Sequence, residues 1–171
     1  MHWKTTNPLG RFSVREAIEI HDDVERVFAH WNRYEDFPRF MESVRRTKCI
    51  DEQRVLWDID IAGHQVVWEA RILESNPEQR VRWQSAWGAA NSGEVRFEAL
   101  PEGRTRLTVE IEYRPRGSLE KLGAHLGLAD IHVRRDLGRF RRFVESRPSN
   151  AFDEWRSSPP SQQQTRADGA S

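Results

Sequence analysis

Between residues 54 and 113, apolar and polar side chains alternate with few interruptions. Trp57 and Ile59 share one parity, for example, while Asp58 and Asp60 have the other. A period of two is that of a β-strand with one dry face and one wet face. Farther along the chain the apolar period changes to that of a helix. The pattern therefore predicts a sheet with one dry face, followed by a long helix that covers it.

Composition narrows the class of protein. The chain has 171 residues, a length that fits one domain, and 37% of them are hydrophobic. The formal net charge is zero, from 27 basic and 27 acidic residues, so no overall charge draws the protein to nucleic acid or to an anionic membrane. The single cysteine, Cys49, excludes an intramolecular disulfide and a cysteine-cluster zinc site. No stretch approaches the roughly 20 apolar residues of a membrane span, and no secretory signal begins the chain, which indicates a soluble cytoplasmic protein.

The order of elements follows from local signals. A strand over 13–20 is followed by a short helix that Asp22 or Asp23 caps, and by a second helical or turn segment over 34–41. Turn residues such as Gly, Asn and Pro separate the strands that follow, and their short links favour an antiparallel meander. We predict these strands near 43–50, 54–62, 65–75, 80–87, 93–100 and 104–114.

The last element is a long amphipathic helix over 118–147. Its apolar residues recur at steps of three, four and seven. Pro148 ends it, and the low-complexity segment after residue 157 is typical of disorder. We therefore predict an α+β fold in three parts: a loose lead-in over 1–11, one domain over 12–147, and a disordered tail over 148–171.

Aromatic residues dominate the dry face of the sheet. They either fill the core between sheet and helix or line a pocket for an apolar ligand, and the two interpretations are compatible if one end of the sheet is packed and the other hollow. For a pocket, the predicted wall consists of Phe40, Trp57, Trp68, Trp83, Trp87, Phe97 and Tyr113, with Leu126 and Phe140 from the helix.

The sequence contains few patterns that are typical of a catalytic or metal-binding site. No nucleophile elbow, P-loop or dinucleotide fingerprint is present, and the histidines do not have metal-ligand spacing, so we predict no metal and no cofactor. Glu16, Tyr113 and His125 are the candidate proton-transfer residues, unless they face water. The arginines over 134–142 form either a solvated helix face or a contact for an acidic partner or RNA.

Several short stretches resemble a known family. The order strand, two short helices, meander and long helix resembles the helix-grip fold of the START and birch-pollen-allergen superfamily. The local sequence is closer to its bacterial polyketide cyclase/dehydrase-like branch, the SRPBCC proteins. The matching stretches are Val27-Phe28, Trp31-Asn32, Phe37–Met41, Trp57, Ile61–Gly63, Trp68–Ala70, Arg80–Trp83, Gly88, Gly93–Phe97, Arg104–Leu107 and Leu119–Gly123.

The resemblance implies a curved sheet that grips the long helix around a cavity. Relatives of this kind are carriers of lipids, quinones or hormones, aromatase/cyclases that bind poly-β-keto chains, or partners of other proteins. The leading prediction is binding of a hydrophobic small molecule such as a lipid, quinone or polyketide-like aromatic. The alternatives are a cyclase/dehydrase-type enzyme that uses the same cavity and a non-enzymatic protein-interaction module; nucleic acid is not an expected partner.

Overall fold

The strands form where the alternation predicts them. The computed structural model describes residues 12–61, 63–114 and 126–147. In most of these segments apolar and β-branched residues fall at alternate positions, so each such strand has one face to bury. The strands are β1 (Phe12–Ile20), β2 (Val44–Asp51), β3 (Arg54–Ile61), β4 (His64–Asn76), β5 (Arg80–Gly88), β6 (Asn91–Leu100) and β7 (Arg104–Tyr113).

All seven strands belong to one antiparallel sheet in the order β1-β7-β6-β5-β4-β3-β2. Strands β2 to β7 are a meander, since each pairs with its neighbour in the chain. β1 pairs with β7 over its whole length, from Phe12 opposite Tyr113 to Ile20 opposite Thr105. The two edges of the sheet are therefore β1 and β2.

Two helical segments connect these edge strands. Helix α1 (Val24–Trp31) follows Asp23 at its N-cap position, although the carboxylate makes no capping hydrogen bond. A short 3₁₀ helix, Tyr34–Arg39, contains Pro38 and leads into β2. The apolar side of α1 is buried against the sheet through Val27 and Trp31.

The long helix α2 (Leu126–Glu145) is held at both edges of the sheet. Arg134 forms an ion pair of 2.9 Å with Glu16 on β1. On the other side, Arg139 pairs at 2.6 Å with Glu42, which lies just before β2. These contacts place α2 over the seam between β1 and β2, the two edge strands that do not pair with each other.

The core is concentrated at one end of the sheet. The rings of Trp31 and Phe140 are 5.3 Å apart, and those of Phe28 and Phe97 are 5.2 Å apart, both in edge-to-face contact. Leu107 joins them with no exposed surface. Large aromatic rings bury roughly 150–250 Å² each, so this end supplies much of the fold's stability.

The predicted α+β architecture of an antiparallel sheet covered by a long C-terminal helix is confirmed. One turn was predicted wrongly: Asn91, Ser92 and Gly93 lie inside β6, and the chain reverses at Gly88–Ala90 instead. The predicted lead-in over 1–11, the first part of the predicted helix over 118–125, and the tail over 148–171 lie outside the described residues. Within the described part, no helix is both long enough and apolar enough to cross a membrane.

Candidate functional site

A cavity of about 270 Å³ lies between the sheet and α2, at the end of the sheet away from Phe97 and Leu107, and it borders the packed core at Trp31 and Phe37. The strand ends around it are the start of β4, the turn between β5 and β6, and the end of β7, which contribute Val66, Ala90 and Tyr113. The helix side contributes Val133 and Leu137. Because most of the lining is apolar, the cavity is suited to a hydrophobic occupant.

Two tryptophans form a parallel pair on the cavity wall. Trp57 on β3 and Trp68 on β4 are directly opposite each other in the antiparallel register. Their ring centroids are 5.8 Å apart and the ring planes differ by 2°. Cross-strand neighbours on one face are close enough for their rings to pack in this way. The pair gives the wall a broad aromatic surface.

A third tryptophan crosses β6 because the residue beneath it is glycine. Trp83 is paired with Gly93, and a Cβ atom on Gly93 would lie 2.2 Å from the nearest Trp83 ring carbon. Trp83 Nε1 donates a hydrogen bond of 3.1 Å to Asn91 Oδ1, and Asn91 Nδ2 donates to the Ala89 carbonyl. The indole is thus fixed in place at the cavity wall.

A carboxyl group also lines the cavity. Asp136 of α2 is 6% exposed, and its Oδ2 accepts a hydrogen bond of 2.8 Å from Ser43 Oγ. Its Oδ1 accepts from the Glu42 amide at 3.2 Å and from Arg139 at 3.4 Å. Burial raises the pKa of the Asp136 carboxyl above its ordinary value of 3.8, although these hydrogen bonds and the charge of Arg139 act in the opposite direction. Asp136 therefore joins the helix to the β2 edge and places an ionisable group in the wall.

Tyr34 adds a phenol to the same wall. Its hydroxyl donates to Asn32 Oδ1 at 3.3 Å, and burial raises the pKa of the phenol above its ordinary value of 10. Tyr34 therefore stays protonated and acts as a neutral hydrogen-bonding group.

Four of the residues predicted for the wall line the cavity: Trp57, Trp68, Trp83 and Tyr113. Phe40, Phe97 and Phe140 do not, and the prediction that they border the cavity needs correction. Each is at most 5% exposed and belongs to the core cluster. Phe97 lies on the dry face of β6 beyond the cavity, where its ring meets Phe28 of α1. Phe40 and Phe140 pack against each other, with ring centroids 5.0 Å apart, between the end of the 3₁₀ helix and α2. The side chain of Leu126 lies outside the described part.

Trp87 is the largest departure from the prediction, with 64% of its surface exposed. Ser85 pairs with Ala70 and Trp87 pairs with Glu69, so Ala86 is an extra, unpaired residue. Such a bulge shifts the parity of the strand by one and moves every later side chain to the other face. Trp87 therefore shares the outer face with Glu69 instead of lining the cavity.

The predicted proton-transfer residues are in three different situations. Tyr113 lines the cavity. Glu16 instead forms a two-point hydrogen-bonded ion pair with Arg134, with its side chain 12% exposed. His125 lies outside the described residues.

The polar lining residues missed by the sequence analysis are Tyr34, Ser43, Asn91, Arg114, His132 and Asp136. A signal for Asp136 was present, because it lies three residues after Val133 and four before Phe140, on the apolar stripe of the helix itself. A carboxyl group in that position is buried with the stripe. Among the residues that the structure describes, no group of three or more histidine, cysteine, aspartate or glutamate side chains is placed to hold a metal ion.

Comparison with known proteins identifies the family. A family model described as polyketide cyclase/dehydrase and lipid transport matches residues 20–142. An uncharacterized 17.2 kDa protein of Streptomyces lincolnensis is 31% identical over 135 residues, which are 78% of this chain and 90% of that protein.

Solved structures agree on the fold. A crystal structure of a protein from Deinococcus radiodurans is 29% identical, covers 78% of this chain and 97% of its own, and has a TM-score of 0.61. The Zhui aromatase/cyclase of Streptomyces sp. R1128 is 15% identical with a TM-score of 0.68, over 79% of this chain and 94% of its own. A START superfamily protein of Mycobacterium smegmatis is 13% identical with a TM-score of 0.66, over 77% and 98%. As its short sequence motifs predicted, the chain belongs to the polyketide cyclase/dehydrase and lipid transport family, and it shares the fold of the START superfamily structure.

Proposed function

We propose that this protein binds a hydrophobic small molecule, such as a lipid, a quinone or a polyketide-like aromatic, in the cavity between the sheet and α2. The observation that carries the proposal is the cavity of about 270 Å³ whose wall includes Trp57, Trp68 and Trp83. Family membership supports a role in ligand binding or cyclisation in general terms, without naming the ligand.

The size of the cavity limits what it encloses. Small-molecule pockets typically have volumes of about 300–1,000 Å³, so this cavity of about 270 Å³ is near the lower end of that range. That corresponds to a small ring system, or to one part of a longer chain that extends past the rim. Burial of apolar ligand surface contributes about 25 cal/mol per Å², and several hundred Å² are needed to exceed the cost of association.

The second candidate function is a cyclase/dehydrase-type reaction on a ligand in the same cavity. The observation that favours it is Asp136, a buried carboxyl with a raised pKa in a mostly apolar wall. A carboxyl of this kind is able to exchange a proton with a bound substrate, and Ser43 holds its Oδ2 in place. The two candidate functions differ in one observable: an enzyme converts its bound ligand to a product, whereas a binding protein releases it unchanged.

The test is native mass spectrometry of the full chain purified from its own host, followed by solvent extraction of bound molecules. We expect an adduct that is lost on denaturation and is recovered as an apolar compound. The matched variants are Val66→Trp, which fills the cavity, and Val67→Trp, whose position on the same strand is absent from the cavity lining.

We expect Val66→Trp to lose the adduct and Val67→Trp to keep it, with both variants folded by circular dichroism. The proposal is wrong if the wild-type chain has the mass of its sequence alone and also fails to bind any member of a panel of quinones, fatty acids and polycyclic ketones. Conversion of a panel member to a product, abolished in Asp136→Asn, would favour the second candidate.

A further inference from the structure

The cavity has lining residues on both sides of strand β6 but almost none from β6 itself. Inward residues of the two neighbouring strands line it, among them Val81 on β5 and Val109 on β7. Of the 10 residues of β6, all of which the structure describes, only Asn91 at its start is in the lining. Val95 pairs with both Val81 and Val109, yet it has no exposed surface. Side chains from elsewhere therefore form the cavity surface over β6.

The indole of Trp83 supplies this surface above Gly93. Trp83 lines the cavity from β5, and it pairs with Gly93 across the two strands. A Cβ atom on Gly93 would lie 2.2 and 2.4 Å from two carbons of the indole, so the ring itself lies against the backbone of β6. The ring thus occupies the position that a side chain of residue 93 would have, and it separates this part of β6 from the cavity.

Hydrogen bonds hold the indole in that position. Trp83 Nε1 donates a hydrogen bond of 3.1 Å to Asn91 Oδ1. Asn91 is itself fixed, since its Nδ2 donates to the Ala89 carbonyl at 2.9 Å and its backbone amide donates to Ser85 Oγ at 3.1 Å. A ligand that needs the volume of the indole must therefore break this contact, because the backbone of β6 leaves no room beneath the ring.

We propose that Trp83 determines the largest ring system that the cavity accepts, because its indole sets the depth of the cavity above β6. This inference rests on the proposed function, since it assigns a size limit to the ligand of the same cavity. The ligand class that it selects is a compact apolar ring system, and an additional fused ring requires the volume that the indole occupies. Such limits are sharp, since one methylene changes discrimination in an apolar pocket by about 10–200-fold.

The test uses two aromatic ketones, 2-acetylnaphthalene and 2-acetylanthracene, which differ by one fused ring. Equilibrium dialysis gives their dissociation constants for the full chain, for Trp83→Ala, and for Trp87→Ala as the matched control. Trp87 is on the same strand but is 64% exposed and absent from the cavity lining. We expect Trp83→Ala to shift the affinity ratio toward the larger ketone by on the order of tenfold, while Trp87→Ala keeps the wild-type ratio.

The affinity ratio separates a size limit from a loss of stability. A protein that is only loosened binds both ketones more weakly and keeps their ratio, whereas removal of the indole changes the ratio. If Trp83→Ala does not fold by circular dichroism, Trp83→Phe, which keeps a smaller ring, should shift the ratio in the same direction by a smaller factor.

An unchanged ratio in a folded Trp83 variant that binds both ketones overturns the size limit and leaves the proposed function standing. A wild-type chain that binds another member of the ligand panel but neither ketone also overturns it, because a cavity bounded by this indole admits the smaller ketone. If no member of the panel binds, the proposed function and this inference are both wrong.

Discussion

Substitution of Gly93 by alanine tests how the cavity wall is built. Gly93 lies under the indole of Trp83, and an added Cβ would be 2.2 and 2.4 Å from two ring carbons and 2.7 Å from the Glu110 carbonyl oxygen. Ordinary contacts begin near 3.4 Å, so the ring must move by about an ångström or the backbone of β6 must yield. Either movement opposes the hydrogen bond between Trp83 and Asn91.

The expected cost is the sum of three effects. Overpacking of this kind costs about 1–3 kcal/mol. Loss of the hydrogen bond from Trp83 adds about 0.5–1.5 kcal/mol. Replacement of glycine by alanine restricts the unfolded chain and returns about 0.4–1 kcal/mol. We therefore expect Gly93→Ala to lower the free energy of unfolding by about 0.5–4 kcal/mol and to weaken binding of cavity ligands, because the indole at the cavity wall is displaced.

The matched control is the same substitution in α2. A Cβ on Gly138 would meet nothing within 4 Å, and glycine is about 1 kcal/mol less favourable than alanine inside a helix. Gly138→Ala should therefore stabilise the protein by up to about 1 kcal/mol and leave ligand affinity unchanged. The assays are urea unfolding, near-ultraviolet circular dichroism of the tryptophans, and ligand titration. A Gly93→Ala protein with wild-type stability and unchanged ligand affinity would refute this account of the wall.

Three further predictions concern ionisable groups. Burial and repulsion from nearby arginines lower the pKa of His30 from 6.5 to about 4, so the stability that neutral His30 contributes is complete above pH 6.5 and is lost as the pH falls toward 4. His30→Phe keeps the aromatic packing on Phe143, and over this pH range its free energy of unfolding should fall by roughly 3 kcal/mol less than that of the wild type. Urea titrations at a series of pH values measure this difference. The pKa of Asp136 is raised, so the stability that this carboxyl contributes is complete below pH 3.8 and declines as the pH rises above that value. Asp136→Asn should therefore gain free energy of unfolding relative to the wild type as the pH rises. A difference between the two proteins that stays constant with pH would contradict the raised pKa. Glu16→Gln should cost about 1 kcal/mol or less in thermal unfolding and leave ligand binding intact, because glutamine keeps an acceptor oxygen for Arg134, whose side chain is half exposed. A large loss of binding would show that Glu16 acts at the cavity.

The fold was predictable because its determinants are local and periodic. Alternation along β3 and β7 predicts which residues face inward, and Trp57 and Tyr113 lie on the inward face, where they line the cavity. The apolar stripe of α2 was equally clear, and Leu137 and Val144 are each at most 1% exposed. These patterns depend on the period of a single strand or helix and are independent of how strands and helices pack against one another.

The boundary between core and cavity was not predictable in this way. Trp83 and Phe97 both face inward, yet one lines the cavity and the other is packed, since the difference depends on how far α1 and α2 reach along the sheet. Trp87 was misplaced because a single unpaired residue, Ala86, reverses parity, and neighbouring residues give no periodic sign of it. Asp136 was missed because helical periodicity identifies the buried stripe by its apolar residues, and a single carboxyl within that stripe does not change the period.

The division of the sheet into a packed end and a hollow end has a consequence for stability. Aromatic contacts such as that between Trp31 and Phe140 stabilise the packed end whether or not a ligand is present. The hollow end leaves Trp68 and the side chains around it without the contacts that a filled core supplies, so part of the available stability depends on an occupant. A bound ligand stabilises a protein by RT ln(1 + [L]/Kd), which reaches about 2.7 kcal/mol when its concentration is 100 times Kd. Substitutions at the packed end, such as Leu107→Ala, should therefore lower the melting temperature of the free and the ligand-bound protein alike. Val66→Trp, which fills the cavity, should instead abolish only the rise in melting temperature that the ligand causes.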